Sequence, residues 1–297
     1  MGQTVETPRN DWEHPMLTLH APAKVNLVLE VLRAHEGFHE ISSILQTVDL
    51  FDTLTFEPAN NIEFTCSEPA LLENNLVLQA AHLLQRASGT QWGAHIHLQK
   101  RIPWAAGLGG GSSDAAATLR GLNELWQLRL STEQLVETAR SLGSDVPALV
   151  LGGTVHMRGS GDIVAAAPPL RTAQFVILIP DVVPPEAKTA TLYRSLRPSM
   201  FTTGRYTDEA LRSLQNYGIV PQNLMYNVFE QVEATCFPGI DCARRELANV
   251  VDTAVHLAGS GPALFTIVET PSKAERAASL LSTAGYRAFA AQSIGRE

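Results

Sequence analysis

Residues 107–113 form the stretch whose residue types most clearly suit chemistry on an anion. They read Gly-Leu-Gly-Gly-Gly-Ser-Ser and follow Pro103 closely. Apolar residues then recur at helical spacing at Ala115, Leu119 and Leu122. A flexible loop that leads into a helix N-terminus offers N–H groups and a positive dipole end to a phosphate. The candidate phosphate-binding residues are Pro103, Gly107, Leu108, Gly109, Gly110, Gly111, Ser112 and Ser113.

Two familiar phosphate motifs do not fit this stretch. A Walker loop ends in Gly-Lys-Ser or Gly-Lys-Thr, and no lysine follows these glycines. The dinucleotide fingerprint requires a third glycine where Ser112 stands. Because glycine-rich turns before helices often serve only as connections, the interpretation depends on polar signals elsewhere in the chain.

Lys24 and Asn26 interrupt an apolar segment, residues 16–32, that predicts a strand. They are two residues apart, so on a strand their side chains share a face, with Val25 and Leu27 on the other. This pattern indicates either a functional site or an edge strand whose polar face meets water. The segment alone leaves both alternatives open.

Asp145 stands between a predicted helix end at Gly143 and the apolar residues 146–150. A carboxylate at this point would be held rigidly and partly dried, as a catalytic group requires. The structural alternative is that Asp145 caps the following turn, since aspartate before Val-Pro is a common helix-start signal.

The other patterns alternate between strand and helix. Residues 36–40 predict a turn that carries an aromatic side chain beside a histidine. Pro168 and Pro169 mark the expected domain boundary, and Gly259 to Pro262 predicts a second glycine turn between apolar strands. Further strands are expected at 51–56, 61–66, 93–99, 175–179, 254–257, 263–268 and 287–291, helices at 74–87, 131–142 and 272–284, and a hairpin at 152–162. Residues 184–189 lead into a helix that is expected to end at Leu196, and residues 199–253 carry mostly helical patterns.

The composition and the net charge limit the kinds of protein to which this chain can belong. The chain has 297 residues, 45% hydrophobic and 18% charged, as expected for a globular protein with a sizeable core. The formal net charge of −8 argues against nucleic acid or an anionic membrane as a partner. Three scattered cysteines, and a first segment without a signal-like or transit-like pattern, predict a cytoplasmic protein.

Three motifs in order resemble the GHMP kinase superfamily of small-molecule kinases. They are Pro-Ala-Lys-Val-Asn at 22–26, the glycine stretch within 103–116, and Gly-Ser-Gly-Pro at 259–262. Gly-Phe-His-Glu-Ile at 37–41 and Leu-Gly-Ser-Asp-Val-Pro at 142–147 resemble the branch that acts on a cytidine diphosphate-linked methylerythritol. The similarity extends over residues 17–295.

The resemblance implies an α+β fold of two domains with the active site in the cleft between them. Residues 16–167 would form an N-terminal ribosomal-S5-like α/β domain with the ATP-phosphate loop, and residues 168–297 a ferredoxin-like α+β domain. It also implies that ATP phosphorylates the 2-hydroxyl of the methylerythritol moiety, in the non-mevalonate route to isoprenoid precursors. We expect a monomer or a weak homodimer.

The resemblance also assigns roles. Lys24 and Asp145 would be the catalytic pair, with Asp145 as general base. Ser112 or Ser113 would offer an oxygen to Mg²⁺. The substrate contacts would be Asn26, Phe38 as a platform for the cytosine, His39, Lys188 and Thr189, and the turn that helps close the site would be Gly259, Ser260 and Gly261.

Other functions are weighed against this one. A sister kinase for mevalonate, phosphomevalonate or homoserine would share the motifs but has no use for a nucleobase platform at Phe38. A catalytically inactive nucleotide-binding module has no need to keep both Lys24 and Asp145. A nucleic-acid-binding protein of S5-like fold conflicts with the acidic net charge.

Overall fold

The computed structural model describes residues 16–35 and 38–296. The amino-terminal fifteen residues, and Glu36 and Gly37 of the predicted turn, lie outside this description. The strands are β1 (Leu17–His35), β2 (Phe38–Ala59), β3 (Ile62–Cys66), β4 (Gly93–Gln99), β5 (Thr154–Gly159), β6 (Ile163–Ala166), β7 (Gln174–Ile179), β8 (Tyr226–Asn227), β9 (His256–Leu257), β10 (Leu264–Val268) and β11 (Arg287–Gln292). The helices are α1 (Leu76–Ser88), α2 (Gly110–Leu125), α3 (Thr132–Ala139), α4 (Val146–Leu151), α5 (Lys188–Ser195), α6 (Arg205–Tyr217), α7 (Glu233–Cys236), α8 (Ile240–Val251) and α9 (Pro271–Thr283).

A long antiparallel hairpin of β1 and β2 forms the centre of the first sheet. The main order of hydrogen-bonded strands in this sheet is β3-β4-β2-β1-β8. The residues of β1 from Ala21 to Val31 are all buried, because one edge pairs with β2 and the other meets Leu108 and β8. The edge-strand alternative for Lys24 and Asn26 is therefore wrong. These polar side chains are 4% and 3% exposed within the protein.

Helices α1 to α4 accompany the first sheet and pack their apolar sides into one core with it. Side chains cap two of these helices at their starts: Asn75 caps α1 through a hydrogen bond from Val77 N, and Ser131 and Gln134 form a capping box at α3. The indole N–H of Trp126 donates to the carbonyl of Gly93 and so ties the end of α2 to β4.

A second sheet, ordered β11-β7-β10-β9, is entirely antiparallel. Its core includes Val176, Leu178 and Leu264 from the strands and apolar residues of α8 and α9. The central strand β7 is buried along nearly its whole length, as its unbroken apolar sequence predicts.

Two segments differ from their predicted form. Phe38 to Glu40 do not lie in a turn but begin β2, which continues to Ala59 because it pairs with β1 as far as Phe56 and with β4 from Thr53 onward. Residues 199–253 are mostly helical as predicted, yet Tyr226 and Asn227 form a short strand parallel to β1. This strand adds a carboxyl-terminal segment to the first sheet, beside Val28 and Leu29 of β1.

Candidate active site

A cleft of about 570 Å³ contains most of the predicted site residues. Helix α2, the glycine loop before it, strand β1, the start of α5 and the second glycine turn all contribute to its wall. The predicted residues that line it are Lys24, Asn26, Pro103, Gly107, Leu108, Gly109, Gly110, Gly111, Ser112, Asp145, Thr189, Gly259 and Ser260. The predicted residues that do not line it are Ser113, Phe38, His39, Lys188 and Gly261.

Lys24 and Asp145 face each other in the cleft, with Lys24 Nζ 3.2 Å from Asp145 Oδ2. Lys24 Nζ also donates to Asn26 Oδ1 at 2.8 Å, and Asn26 Nδ2 donates to Ser43 Oγ. Asp145 is the residue that precedes α4, but its side chain makes no capping hydrogen bond. The capping alternative is therefore wrong, and the carboxylate, 31% exposed, is free to meet a substrate.

The glycine loop enters α2 directly above this pair. The amide of Lys24 donates to the carbonyl of Leu108 at 2.9 Å, which fixes the loop against β1. Helix geometry leaves the amides of Gly110, Gly111 and Ser112 without a carbonyl one turn back, whereas Ser113 N donates to Gly109 O. Three amides at the positive end of the helix are thus available to an anion.

The two glycine turns pack so closely that neither tolerates a side chain at its contact point. A Cβ on Gly107, where φ is +89°, would lie 2.2 Å from the carbonyl oxygen of Ala258. A Cβ on Gly259 would lie 2.7 Å from Lys24 Nζ and 2.8 Å from the carbonyl oxygen of Gly107. Asn227 holds the second turn by donating to the carbonyls of Leu257 and Gly259.

Lys188 and Thr189 open α5 beside these turns. Lys188 Nζ donates to the carbonyls of Ala105, at 2.9 Å, and Gly261. Thr189 Oγ1 lies 3.1 Å from Ser260 Oγ. Burial, together with the charge of Lys24, lowers the pKa of Lys188 to about 8, although Asp145 acts in the opposite direction.

An aromatic group borders the other end of the cleft. The ring of His39 packs on that of Tyr193, with 4.6 Å between centroids, and Tyr193 meets Phe229 edge to face. Burial lowers the pKa of His39 and raises that of Tyr193 to about 12. Phe38 is 43% exposed. Sequence reasoning missed Tyr193 and Phe229, which line the cleft, since buried aromatics at helical spacing usually indicate only a core.

A buried charge cluster under the glycine loop was also missed. Lys100 Nζ contacts Asp52 Oδ2 and lies 2.8 Å from Asp114 Oδ2. Asp52 Oδ1 accepts from the amides of Arg101 and Ile102. These contacts fasten the start of the loop to the second turn of α2. Burial raises the pKa of Asp114 to about 7 despite the attraction of Lys100.

The polar groups at the start of α2 suit the phosphates of a nucleoside triphosphate together with a divalent metal ion. Ser113 Oγ is fully buried at the start of α2 and has no hydrogen-bond partner within the described part of the chain. An orphaned hydroxyl beside three free amides is what a phosphate or a bound cation would satisfy. Among residues 16–35 and 38–296, no cluster of three or more His, Cys, Asp or Glu side chains is arranged to hold a metal by itself, and no helix has the length and apolar character needed to cross a membrane.

Comparison with known proteins gives the family. Residues 75–153 match the GHMP kinases N terminal domain, and residues 208–287 match the GHMP kinases C terminal domain. A 4-diphosphocytidyl-2-C-methyl-D-erythritol kinase of Dehalococcoides mccartyi is 39% identical over 282 residues, 94% of this chain and 99% of the relative. The protein of the same name from Alkaliphilus metalliredigens is 35% identical over 94% of this chain and 97% of its own length.

Solved structures agree. A crystal structure of 4-(cytidine 5'-diphospho)-2C-methyl-D-erythritol kinase matches with a TM-score of 0.80 and 34% identity, covering 94% of this chain and 100% of its own. A homoserine kinase from Cytophaga hutchinsonii matches with a TM-score of 0.70 at 16% identity, covering 99% of this chain and 98% of its own, which shows the shared fold alone. The chain is therefore a small-molecule kinase of the GHMP family, with its N- and C-terminal kinase domains, and it is similar over nearly its whole length to members named 4-diphosphocytidyl-2-C-methyl-D-erythritol kinase.

Proposed function

We propose that this kinase transfers the γ-phosphoryl group of ATP to the 2-hydroxyl of 4-diphosphocytidyl-2-C-methyl-D-erythritol. The observation that carries the proposal is the Lys24–Asp145 pair, 3.2 Å apart, directly below the glycine loop. The relatives' printed names support the substrate, and the cleft supplies the groups that phosphoryl transfer requires.

Asp145 acts as the general base. Its carboxylate is fixed at the start of α4, is partly exposed to the cleft and carries no capping role. It accepts the proton of the substrate hydroxyl as the oxygen attacks phosphorus, and this requires a reach of about 2.6–3.2 Å. Lys24 orients that carboxylate and offsets the charge that builds on the transferred group. Asn26 holds the ammonium in place through Oδ1.

The glycine loop binds the phosphates through the amides of Gly110, Gly111 and Ser112. Pro103, Gly107, Leu108 and Gly109 shape the loop around them. When bound, Mg²⁺ would neutralise charge on the phosphates. The buried, unpartnered Ser113 hydroxyl and the neighbouring Ser112 are the residues of this chain that we assign to hold it.

The cytosine ring of the substrate lies at the aromatic end of the cleft. Phe38 offers an exposed ring face on which cytosine stacks, and His39, held against Tyr193, presents polar atoms beside it. Phenylalanine supplies the stacking face without a hydroxyl. Thr189 and Ser260 border the path between this end and the phosphates, and Gly259 to Gly261 help close the site.

The proposal is tested by a coupled assay of ADP release with three alcohols. We expect turnover with the cytidyl substrate and none above background with mevalonate or homoserine. Turnover with mevalonate or homoserine instead would establish the sister-kinase alternative. Phe38→Ala should raise KM for the cytidyl substrate by about tenfold, since stacking contributes about 1–3 kcal/mol per base. Phe38→Tyr, which keeps the ring, is the matched control.

Four further expectations stay proposals of the same kind. We propose that the chain divides at Pro168–Pro169 into domains of residues 16–167 and 168–297. We propose a cytoplasmic protein that is a monomer or a weak homodimer and uses neither nucleic acid nor membrane as a partner. Sedimentation at several protein concentrations would measure the oligomeric state.

A further inference from the structure

Lys188 stands out because its partners are carbonyls from two separate segments. Its ammonium donates to Ala105 O, in the first glycine loop, and to Gly261 O, in the second glycine turn. These segments are more than 150 residues apart in sequence, yet they are in contact in the fold, where Gly107 packs against Ala258 and Gly261. No carboxylate lies within ion-pair distance of Lys188 in the part of the chain that the structure describes.

We propose that Lys188 is a positioning residue that clamps the two glycine turns together over the phosphate site. The clamp acts on Lys24 as well, because the turn that it holds places Gly259 against Lys24 Nζ. Lys188 is thus not itself a substrate contact. The inference rests on the proposed function, since the clamp serves phosphate binding and transfer in this cleft.

Neighbouring contacts support the same role. Thr189, the next residue, meets Ser260 Oγ, so two successive side chains of α5 hold the second turn. Ala263 N donates to Ala106 O at 2.9 Å, which joins the two segments beside the clamp. Ala105 and Ala187 both have positive φ, at 56° and 47°, so the segments at each end of the Lys188 side chain keep a conformation that needs outside support.

The clamp has a pH signature. The charged groups that face Lys188 are Lys24 from β1 and Asp145 before α4. Burial and Lys24 lower the pKa of Lys188 to about 8, whereas Asp145 raises it. Above that pH the neutral amine retains two hydrogens but loses the charge that strengthens both hydrogen bonds to carbonyls. The clamp should therefore weaken as the pH rises from about 7 to about 9.5.

The test compares Lys188→Met, which keeps the length of the side chain without donors, with Lys188→Arg, which keeps the charge. Lys273→Met, on an exposed lysine of α9, is the matched control. Two readouts need no alcohol substrate: hydrogen–deuterium exchange of residues 104–111 and 259–263, and the Kd for ADP. A failure of the proposed substrate would therefore leave these readouts intact.

We expect Lys188→Met to exchange faster in both segments and to bind ADP about tenfold more weakly, the loss expected for a charged hydrogen bond. KM for the cytidyl substrate should stay within about twofold, and Lys273→Met should behave like the wild type. Unchanged exchange together with a raised KM for the cytidyl substrate would overturn the clamp and make Lys188 a substrate contact. Unchanged values throughout would also overturn it.

Lys188→Arg keeps the test valid if Lys188→Met does not fold. The wild type should lose about tenfold in ADP affinity between about pH 7 and about pH 9.5, whereas the arginine variant should lose much less, since its pKa is far higher. Equal pH dependence in the two proteins would contradict a role for the Lys188 charge.

Discussion

Two lysine–carboxylate clusters lie on opposite sides of the glycine loop, and they differ chiefly in access to solvent. Lys24 meets Asp145, whose side chain is 31% exposed to the cleft. Lys100 meets Asp52 and Asp114, whose side chains are 0% and 3% exposed. The same residue types therefore have different roles. The open pair can reach a substrate, whereas the second cluster fastens the loop that holds the phosphates. We call it the sealed cluster because its carboxylates are almost wholly buried, although Lys100 and Asp114 form part of the cleft wall.

This contrast predicts that the two clusters separate activity from stability. The largest effect on turnover should come from Asp145→Asn, which we expect to lower kcat by about 10²–10⁴-fold, because general base catalysis contributes that much. ADP affinity should stay nearly unchanged, and the free energy of unfolding should change by less than it does for Asp52→Ala, because Asp145 is partly exposed and asparagine keeps an oxygen that can face Lys24. Asp181→Asn, at an exposed aspartate outside the cleft, is the control. Near-normal turnover in Asp145→Asn would remove that residue from the mechanism.

The sealed cluster should show the reverse behaviour. Asp52→Ala removes one of the two carboxylate partners of Lys100 and the acceptor of the Arg101 and Ile102 amides. We expect a loss of about 3–5 kcal/mol in the free energy of unfolding, measured in urea, because a buried ion-pair network is broken and two amides lose their acceptor. A loss below about 1 kcal/mol would show that the cluster does not fasten the loop.

The two clusters also differ in how well the sequence alone predicts them. Lys24 and Asp145 were singled out because each interrupts a clear local pattern, an apolar strand in one case and a helix boundary in the other, and the family resemblance then assigned them the catalytic role. Lys100, Asp52 and Asp114 carry no such signal, since their meeting depends on the pairing of β2 with β4 and on the position of α2 over it. The strands, helices and glycine turns were mostly predicted from periodicity. Phe38 was placed in a turn because a local glycine pattern hides the pairing of β2 with β1.

Asp114 offers a pH test of the sealed cluster. Burial raises its pKa from 3.8 to about 7 in the folded protein. A carboxyl group that binds its proton more tightly when folded stabilises the fold at low pH, and this stabilisation is lost as the pH rises from about 4 through about 7. The difference in free energy of unfolding between wild type and Asp114→Asn should therefore fall over that range. Using the difference cancels other titrating groups, such as Glu233. A difference that rises with pH would mean that Lys100 outweighs burial.

The smallest effect on the free energy of unfolding is expected for an ion pair on the surface. Lys273 and Glu269 form an ion pair on the surface, four residues apart, with side chains 61% and 69% exposed. Lys273→Ala should change the free energy of unfolding by no more than the scatter between repeated urea titrations, because water and salt screen so exposed a pair. A loss as large as that of Asp52→Ala would break the link between burial and stabilisation on which the comparison depends.

The central claim is that Lys24 and Asp145 act as one catalytic unit, and a double-mutant cycle in kcat tests it most directly. Lys24→Met alone should lower kcat by about 10²–10³-fold, as expected for a group that stabilises developing charge. Combined with Asp145→Asn, it should lower kcat little beyond the more damaging single change, because residues that act as a unit are not additive. Losses that multiply in the double variant would show that the two side chains act independently and would contradict the account.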